Sequence, residues 1–555
     1  MSRRLKVVPS EFRPQLPAEL IVREPLDAEA VPMDVVFVGG GPAGLAGAIE
    51  LARLITQDTE SGGTLGETQI AVLEKASGLG EHSLSGAVVN PRAFQELFPE
   101  MQIADFPFRA PVTGERVYFM MGGGRAQRIP APPTMQNHGN YIASLSEIVR
   151  WLGEKAEGMG INIFTGFPVA SLVMEEDKVI GVRTTPTGVM RDGSHGSGYT
   201  PPTDISARVT VLSEGTRGSL AQAWMQDAGI KGDNPQIFAL GVKEIWETKK
   251  PLDAIIHTLG WPLPNDAFGG SFMYPLEPNL VAVGIVVGMD YRQTTLDVHQ
   301  LLQKLKTSPL FREYLEGGEM VEWGAKTIPE GGYYALPKKR YGNGVIIAGD
   351  AAGFVEVASL KGVHYAMQSG IFAARAIFDA LKNDDVCDNT MARYDALVNS
   401  SYITSDLKER RNMRLAFQKG GLYMGGIKAS LMTLTKGAFP GGQIHSESDA
   451  EAPKDVTAEE PFVPDGKLTF SKLDSNFKSG NATRDTIPSH LVVGSDIPPE
   501  AAEMYVHMCP AGVYEVVDGK LVINQANCID CKATDVIGPR WTPREGESGP
   551  KYRLM

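Results

Sequence analysis

The sharpest change of hydrophobic pattern in the 555 residues lies near the N-terminus. Met33 to Val38 is a short apolar run, Gly39 to Gly44 interrupts it, and Leu45 to Glu50 continues with small apolar residues. That order predicts a buried strand, a tight turn and an Ala-rich helix. A second strand is predicted at Ile70 to Glu74, after a polar, Gly-rich insert from Thr56 to Thr68. Far downstream, Gly344 to Gly349 is another apolar strand ending in Gly-Asp, and the Ala-rich stretch after Gly362 predicts a helix. Phe238 to Glu244 and Leu280 to Val287 predict further strands between these two regions.

The spacing Gly39, Gly41, Gly44 gives this pattern its chemistry. In a dinucleotide-binding βα unit the first glycine allows the turn, the second lets backbone approach a pyrophosphate, and the third lets helix and strand pack closely. Glu74 ends the second strand, where a carboxylate accepts hydrogen bonds from ribose hydroxyls and favours an unphosphorylated ribose over NADP. Gly349-Asp350 stands where FAD enzymes of the two-dinucleotide-binding-fold type bring an Asp to the ribitol chain. The helix opening near Gly362 would turn its N-terminus toward the flavin ring. Two such turns, so far apart in sequence, predict FAD.

The formal charge of −13 excludes the basic stripe that nucleic-acid binding needs. The N-terminus has no apolar signal segment, and no run approaches 18 apolar residues, so any membrane contact is expected to be peripheral. From Arg410 to Gly442, basic residues (Arg410, Arg411, Arg414, Lys419, Lys428, Lys436) alternate with Leu, Met, Phe and Tyr. That mixture suits either a membrane surface or an ordinary helix with a solvated basic face.

Four cysteines are too few for a disulfide scaffold. Cys387 stands alone beside a polar loop and reads as inert. Cys509, Cys528 and Cys531 fall in the last tenth of the chain, with Cys509-Pro510 and Cys528-x2-Cys531 matching two parts of a bacterial iron-sulfur pattern. The next ligand position holds Thr534. Three outcomes stay open at this point: a [4Fe-4S] cluster with an oxygen ligand from Asp535, Thr534 or water, a [3Fe-4S] cluster, or no cluster.

These motifs, together with Glu81 to Ala87, Asn140 to Ile142, His257 to Leu263, Gly269 to Phe272, Glu330 to Gly332, Leu360 to Gly362 and Cys509 to Tyr514, resemble the electron transfer flavoprotein:ubiquinone oxidoreductases of the bacterial type. The resemblance covers nearly the whole chain, with a Cys-to-Thr departure at Thr534. It implies an α/β (α+β overall) chain with an FAD-binding two-dinucleotide-binding-fold domain, an inserted quinone-binding domain and a C-terminal ferredoxin-like iron-sulfur domain. The expected layout is an FAD-binding first part at 30–145, a mainly quinone-binding domain with FAD-domain strands at 146–335, and the second FAD-binding part at 336–385. A helical, membrane-facing region at 386–442, a linker at 443–459 and the cluster domain at 460–555 complete it.

The resemblance further implies electrons passing from electron transfer flavoprotein through FAD and the cluster to ubiquinone or another membrane quinone, at the cytoplasmic face of the bacterial inner membrane. The cofactors carry the redox chemistry, so no side chain is assigned as catalytic. Ser85, Gly86 and Ala87 match the loop beside the isoalloxazine. Gly269 and Gly270 match the backbone that binds the quinone head group, with a simple turn before Ser271 as the alternative, and Trp261 is expected at the apolar mouth or in the core. Two other functions stay open: a flavin-dependent isoprenoid lipid reductase, and a cluster-deficient docking homologue.

Overall fold

The computed structural model describes residues 5–555 except 87, 133, 134, 360, 440 and 459, together with the backbone but not the side chains of 422 and 423. Its first layer is a six-stranded sheet in the order Asn162–Thr165, Ile70–Glu74, Val35–Val38, Val209–Leu212, Val345–Ile347, Tyr341–Gly342. The first five strands are parallel and the last is antiparallel. Val35 to Val38 are all buried, as a strand covered on both faces requires. The helix Pro42–Glu60 leaves the central strand and packs against the helix Val363–Lys382. These two helices meet backbone to backbone: a Cβ on Gly370 would lie 2.1 Å from the Ala43 carbonyl oxygen.

The second layer is a long seven-stranded sheet, ordered Glu319–Pro329, Phe238–Glu247, Leu280–Gly288, Gly269–Glu277, Ile255–Gly260, Glu115–Met120, Ala126–Ile129. Residues 115–129, expected in the first FAD-binding part, thus close one edge of this sheet, where Glu115–Met120 runs parallel to Ile255–Gly260. Glu115–Met120 pairs locally with Ala126–Ile129, but its other neighbour, Ile255–Gly260, comes from long-range pairing, which local pattern does not specify.

The C-terminal residues do not form a separate core. Cys509, Cys528 and Cys531 belong to the same apolar cluster as Val242, Trp246 and Trp323 of the long sheet. The chain end is also tied down, since Ser144 Oγ donates to the Met555 carbonyl at 2.9 Å.

The expected linker at 443–459 contains a paired and buried segment. Lys454–Asp455 pairs with the strand Lys6–Val7, and Lys454 is fully buried, its Nζ donating to the carbonyls of Met289 (3.0 Å) and Tyr291 (2.7 Å). A buried ammonium given carbonyl partners holds a segment whose polar composition reads as solvated.

Only part of 386–442 faces outward. The helices Asp388–Ser400 and Tyr402–Glu409 send Tyr394, Val398, Ile403 and Leu407 into the nucleotide core. The helix Met413–Leu434, broken at Gly421, exposes Met424, Ile427, Leu431 and Leu434 along one side. Among the described residues no helix is long and apolar enough to cross a membrane.

Candidate functional site

One cavity of about 1120 Å³ is walled by the dinucleotide turn (Gly39, Gly41, Glu74), by the long sheet (Lys243, Gly269, Gly270) and by the outward helix (Ile427, Thr433, Leu434). A drug-sized ligand needs roughly 300–1,000 Å³, so this space exceeds one such ligand.

At the dinucleotide turn, Gly39 has φ +110° and its N–H donates to the Leu73 carbonyl at 2.8 Å. A Cβ there would lie 2.4 Å from the Ser213 carbonyl oxygen. On Gly44 it would lie 2.2 Å from the Gly39 carbonyl oxygen, which is the close helix-to-turn contact the spacing predicts. A Cβ on Gly41 would meet nothing within 4 Å. Gly41 precedes a helix with no side-chain cap, so the first helical N–H groups face an open space suited to a pyrophosphate. Glu74 lines the cavity while its carboxylate accepts from the Gly40 and Ala76 N–H groups, each at 2.9 Å.

The second turn lies across the cavity. Gly349 N–H donates to Ser369 Oγ at 2.8 Å, and Asp350 faces the cavity with one weak donor, Thr216 Oγ1, at 3.4 Å. Burial pushes the Asp350 carboxyl up to about 6, a position left for a hydroxyl donor to complete. Gly362 precedes the helix Val363–Lys382, which also lacks a side-chain cap. Ser85 and Gly86 lie on the wall between, and Ala87 lies outside the described residues. These observations fit FAD.

Gly269 and Gly270 are not a turn. They open the strand Gly269–Glu277, paired with Val287 and Val286, and a Cβ would strike the Val286 carbonyl oxygen at 2.2 Å from Gly269 or that of Thr258 at 2.8 Å from Gly270. Both stay bare on the cavity wall. Trp261 is absent from that wall; it packs against the second core and approaches Gly124 instead.

Sequence reasoning missed Lys243. Its Nζ donates to the Ser85 carbonyl at 3.0 Å, and burial pushes it down to about 7. A lone lysine inside the apolar run Phe238 to Ile245 was the available signal. His257, also on the wall, is held neutral by burial, its pKa pushed down to about 4.

Cys509, Cys528 and Cys531 line a second, small cavity together with Tyr514 and Thr534. All three thiols are buried, and burial pushes each above its ordinary value, Cys528 to about 12. Buried thiols of this kind lose their protons to a bound metal. The set fits an iron-sulfur centre with three thiolates.

The two cavities share a wall. Thr327 N–H donates to the Cys531 carbonyl at 2.9 Å and Lys326 Nζ to that of Asp530 at 3.2 Å, while both Thr327 and Lys326 line the large cavity. Asp530 itself is buried, which alone would raise its pKa, but Arg544 at 2.9 Å and Lys75 at 2.5 Å hold it well below the carboxylate range.

Fold and site together define an FAD-dependent oxidoreductase that also carries an iron-sulfur centre. Residues 238–328 match the family model "ETF-QO, ubiquinone-binding", and residues 466–553 match "Electron transfer flavoprotein-ubiquinone oxidoreductase, 4Fe-4S". The chain is 37% identical to a mitochondrial electron transfer flavoprotein-ubiquinone oxidoreductase of Oryza sativa subsp. japonica, over 95% of this chain and 94% of that one. It is 36% identical to the Pseudomonas aeruginosa protein of the same name, over 96% and 100%. Among solved structures, a geranylgeranyl bacteriochlorophyll reductase-like protein of Thermoplasma acidophilum aligns with TM-score 0.54 at 18% identity, over 74% of this chain and 97% of that one, a likeness of fold alone. The chain belongs to the electron transfer flavoprotein-ubiquinone oxidoreductase family.

Proposed function

We propose that the protein takes electrons from reduced electron transfer flavoprotein and reduces ubiquinone, or another membrane quinone, to the quinol. The observation that carries this reading is the single cavity joining the dinucleotide turn to an outward helix with an apolar side. A water-soluble substrate needs no such exit, whereas an isoprenoid tail does.

Gly39, Gly41 and Gly44 cradle the pyrophosphate, Glu74 binds the adenosine ribose, and Asp350 with Gly349 holds the ribitol chain. Gly362 brings helical N–H groups to the ring, and Ser85 and Gly86 form its other edge, fixed by Lys243. FAD supplies a centre that gathers single electrons and releases a pair. Gly269 and Gly270 let a quinone head group lie against backbone, since a side chain at either position would collide with the Val286 or Thr258 carbonyl and displace the strand. Cys509, Cys528 and Cys531 hold the relay centre. Met424, Ile427, Leu431 and Leu434, with Lys419 and Lys436 exposed beside them, rest on the cytoplasmic face of the inner membrane.

The test supplies the purified protein with reduced electron transfer flavoprotein and a short-chain ubiquinone analogue. Quinol formation is expected, and it is expected to fall in Gly270→Leu at unchanged flavin content. No turnover by protein fully loaded with FAD would refute the reading.

A further inference from the structure

The iron-sulfur centre of this family is one thiolate short here, and the side chains nearest the gap are already engaged. Thr534 Oγ1 lies 2.6 Å from Tyr514 Oη and 3.2 Å from the Pro539 carbonyl oxygen. The carbonyl can only accept, so Thr534 donates to it and accepts from Tyr514. To bind iron as an alkoxide Thr534 would have to give up that proton and that bond inside a buried site, where both it and Tyr514 are shielded.

Asp535 is turned elsewhere. Its Oδ2 accepts from Arg217 Nε at 2.8 Å and Gln222 Nε2 at 3.1 Å, and its Oδ1 from the Trp541 N–H at 3.2 Å. The Asp530 carboxylate is taken by Arg544, Lys75 and Trp541 Nε1. His490 is buried, with neither ring nitrogen partnered. One of those nitrogens lies within 4.8 Å of Cys528 Sγ and an Asp530 carboxylate oxygen, but His490 is not on the wall of the small cavity. A buried water ligand would need free polar partners of its own, and the hydroxyls lining the small cavity, Tyr514 and Thr534, are already bonded to each other and to the Pro539 carbonyl.

We infer that this chain holds a [3Fe-4S] cluster on Cys509, Cys528 and Cys531, with the fourth-iron corner closed by the Tyr514–Thr534–Pro539 hydrogen bonds. Three thiolates satisfy the three irons of such a cluster; Cys528 Sγ gives up its 3.7 Å donation to Asp530 Oδ1 on losing its proton, while Thr534, Tyr514 and Asp535 keep their partners. The inference rests on the cluster assignment above but not on the quinone chemistry.

The experiment is iron, acid-labile sulfide and FAD quantitation on anaerobically purified full-length protein, with low-temperature electron paramagnetic resonance of the oxidised and reduced forms. The wild type is expected to give three irons per FAD and a paramagnetic signal in the oxidised state, the odd-electron state of a three-iron cluster. Thr534→Cys is expected to raise iron to four per FAD and move the signal to the reduced state. Four irons per FAD with a silent oxidised state in the wild type overturns the inference, whether His490 or water is the ligand, and so does absence of iron. The wild-type count decides even if Thr534→Cys fails to fold. Protein with three irons but no quinone turnover leaves this inference standing and removes the other; turnover with four irons does the reverse.

Discussion

Arg414 offers the most stringent test of how the outward helix is anchored. It sits in the first turn of Met413–Leu434, 2% exposed, with Nε donating to Glu330 at 2.7 Å and Nη2 to Asp290 at 2.8 Å. Glu330 is fully buried and Asp290 nearly so. Arg414→Met keeps most of the packing against Phe268, 4.3 Å from the guanidinium, but strands two carboxylates. Removing one partner of a buried pair costs about 3–5 kcal/mol, because the remaining charge loses its compensation.

The pH dependence fixes the sign. Burial already raises Glu330, and it would raise Asp290 were Arg414 not holding that group down. Without Arg414 both folded values rise above the unfolded ones, so the folded variant binds extra protons and its stability falls as pH climbs through that interval. Urea unfolding followed by tryptophan fluorescence is therefore expected to show a loss of about 4 kcal/mol at pH 8 that shrinks toward pH 5. Adding Asp290→Asn and Glu330→Gln is expected to recover most of the loss. A deficit under about 1 kcal/mol at pH 8, or one that grows on acidification, would refute the reasoning.

Two further outcomes follow from the cavity wall. Gly44→Ala puts a methyl 2.2 Å from the Gly39 carbonyl oxygen, so the turn must move. FAD affinity, read by flavin absorbance after dialysis, is expected to drop at least about tenfold, equivalent to 1.4 kcal/mol, and full retention would contradict the assigned contact. Lys243, at about 7 in the folded chain against an ordinary 10.5, binds fewer protons folded than unfolded across that window. Its burial penalty, up to about 5 kcal/mol, is complete below pH 7 and relieved as pH rises toward 10.5, so Lys243→Met is expected to be the more stable protein at pH 7 and to lose that advantage by pH 10. Parallel unfolding curves at every pH would count against it.

What sequence revealed and what it concealed divide along the range of the interactions. The glycines at 39 and 44 could be read because turn and packing are each satisfied within a few residues, and the open face at Gly41 falls between them on the same spacing. Asp350 and the three cysteines were legible for the same reason, as a strand end and as short spacings. Glu115–Met120 was not, because beyond its hairpin with Ala126–Ile129 the neighbour that joins it to the long sheet is a strand more than a hundred residues away. Lys454 looked like solvated linker until two carbonyls from elsewhere in the chain captured it. Of the basic residues after position 409, Arg410 and Arg414 pair with Glu356, Asp290 and Glu330, and Arg411 donates to the Gly437 carbonyl. Composition counts such charges equally, and only tertiary partners separate the anchors from the surface.

The bond from Thr327 to the Cys531 carbonyl has a bearing on biogenesis. A strand that bounds the large cavity also fixes the loop carrying Cys528 and Cys531, so on the proposed assignment loading of either prosthetic group pre-organises the other's berth. Maturation of the holoprotein is in this sense a linked equilibrium: starving cells of iron should leave a chain that also retains its yellow pigment less tightly.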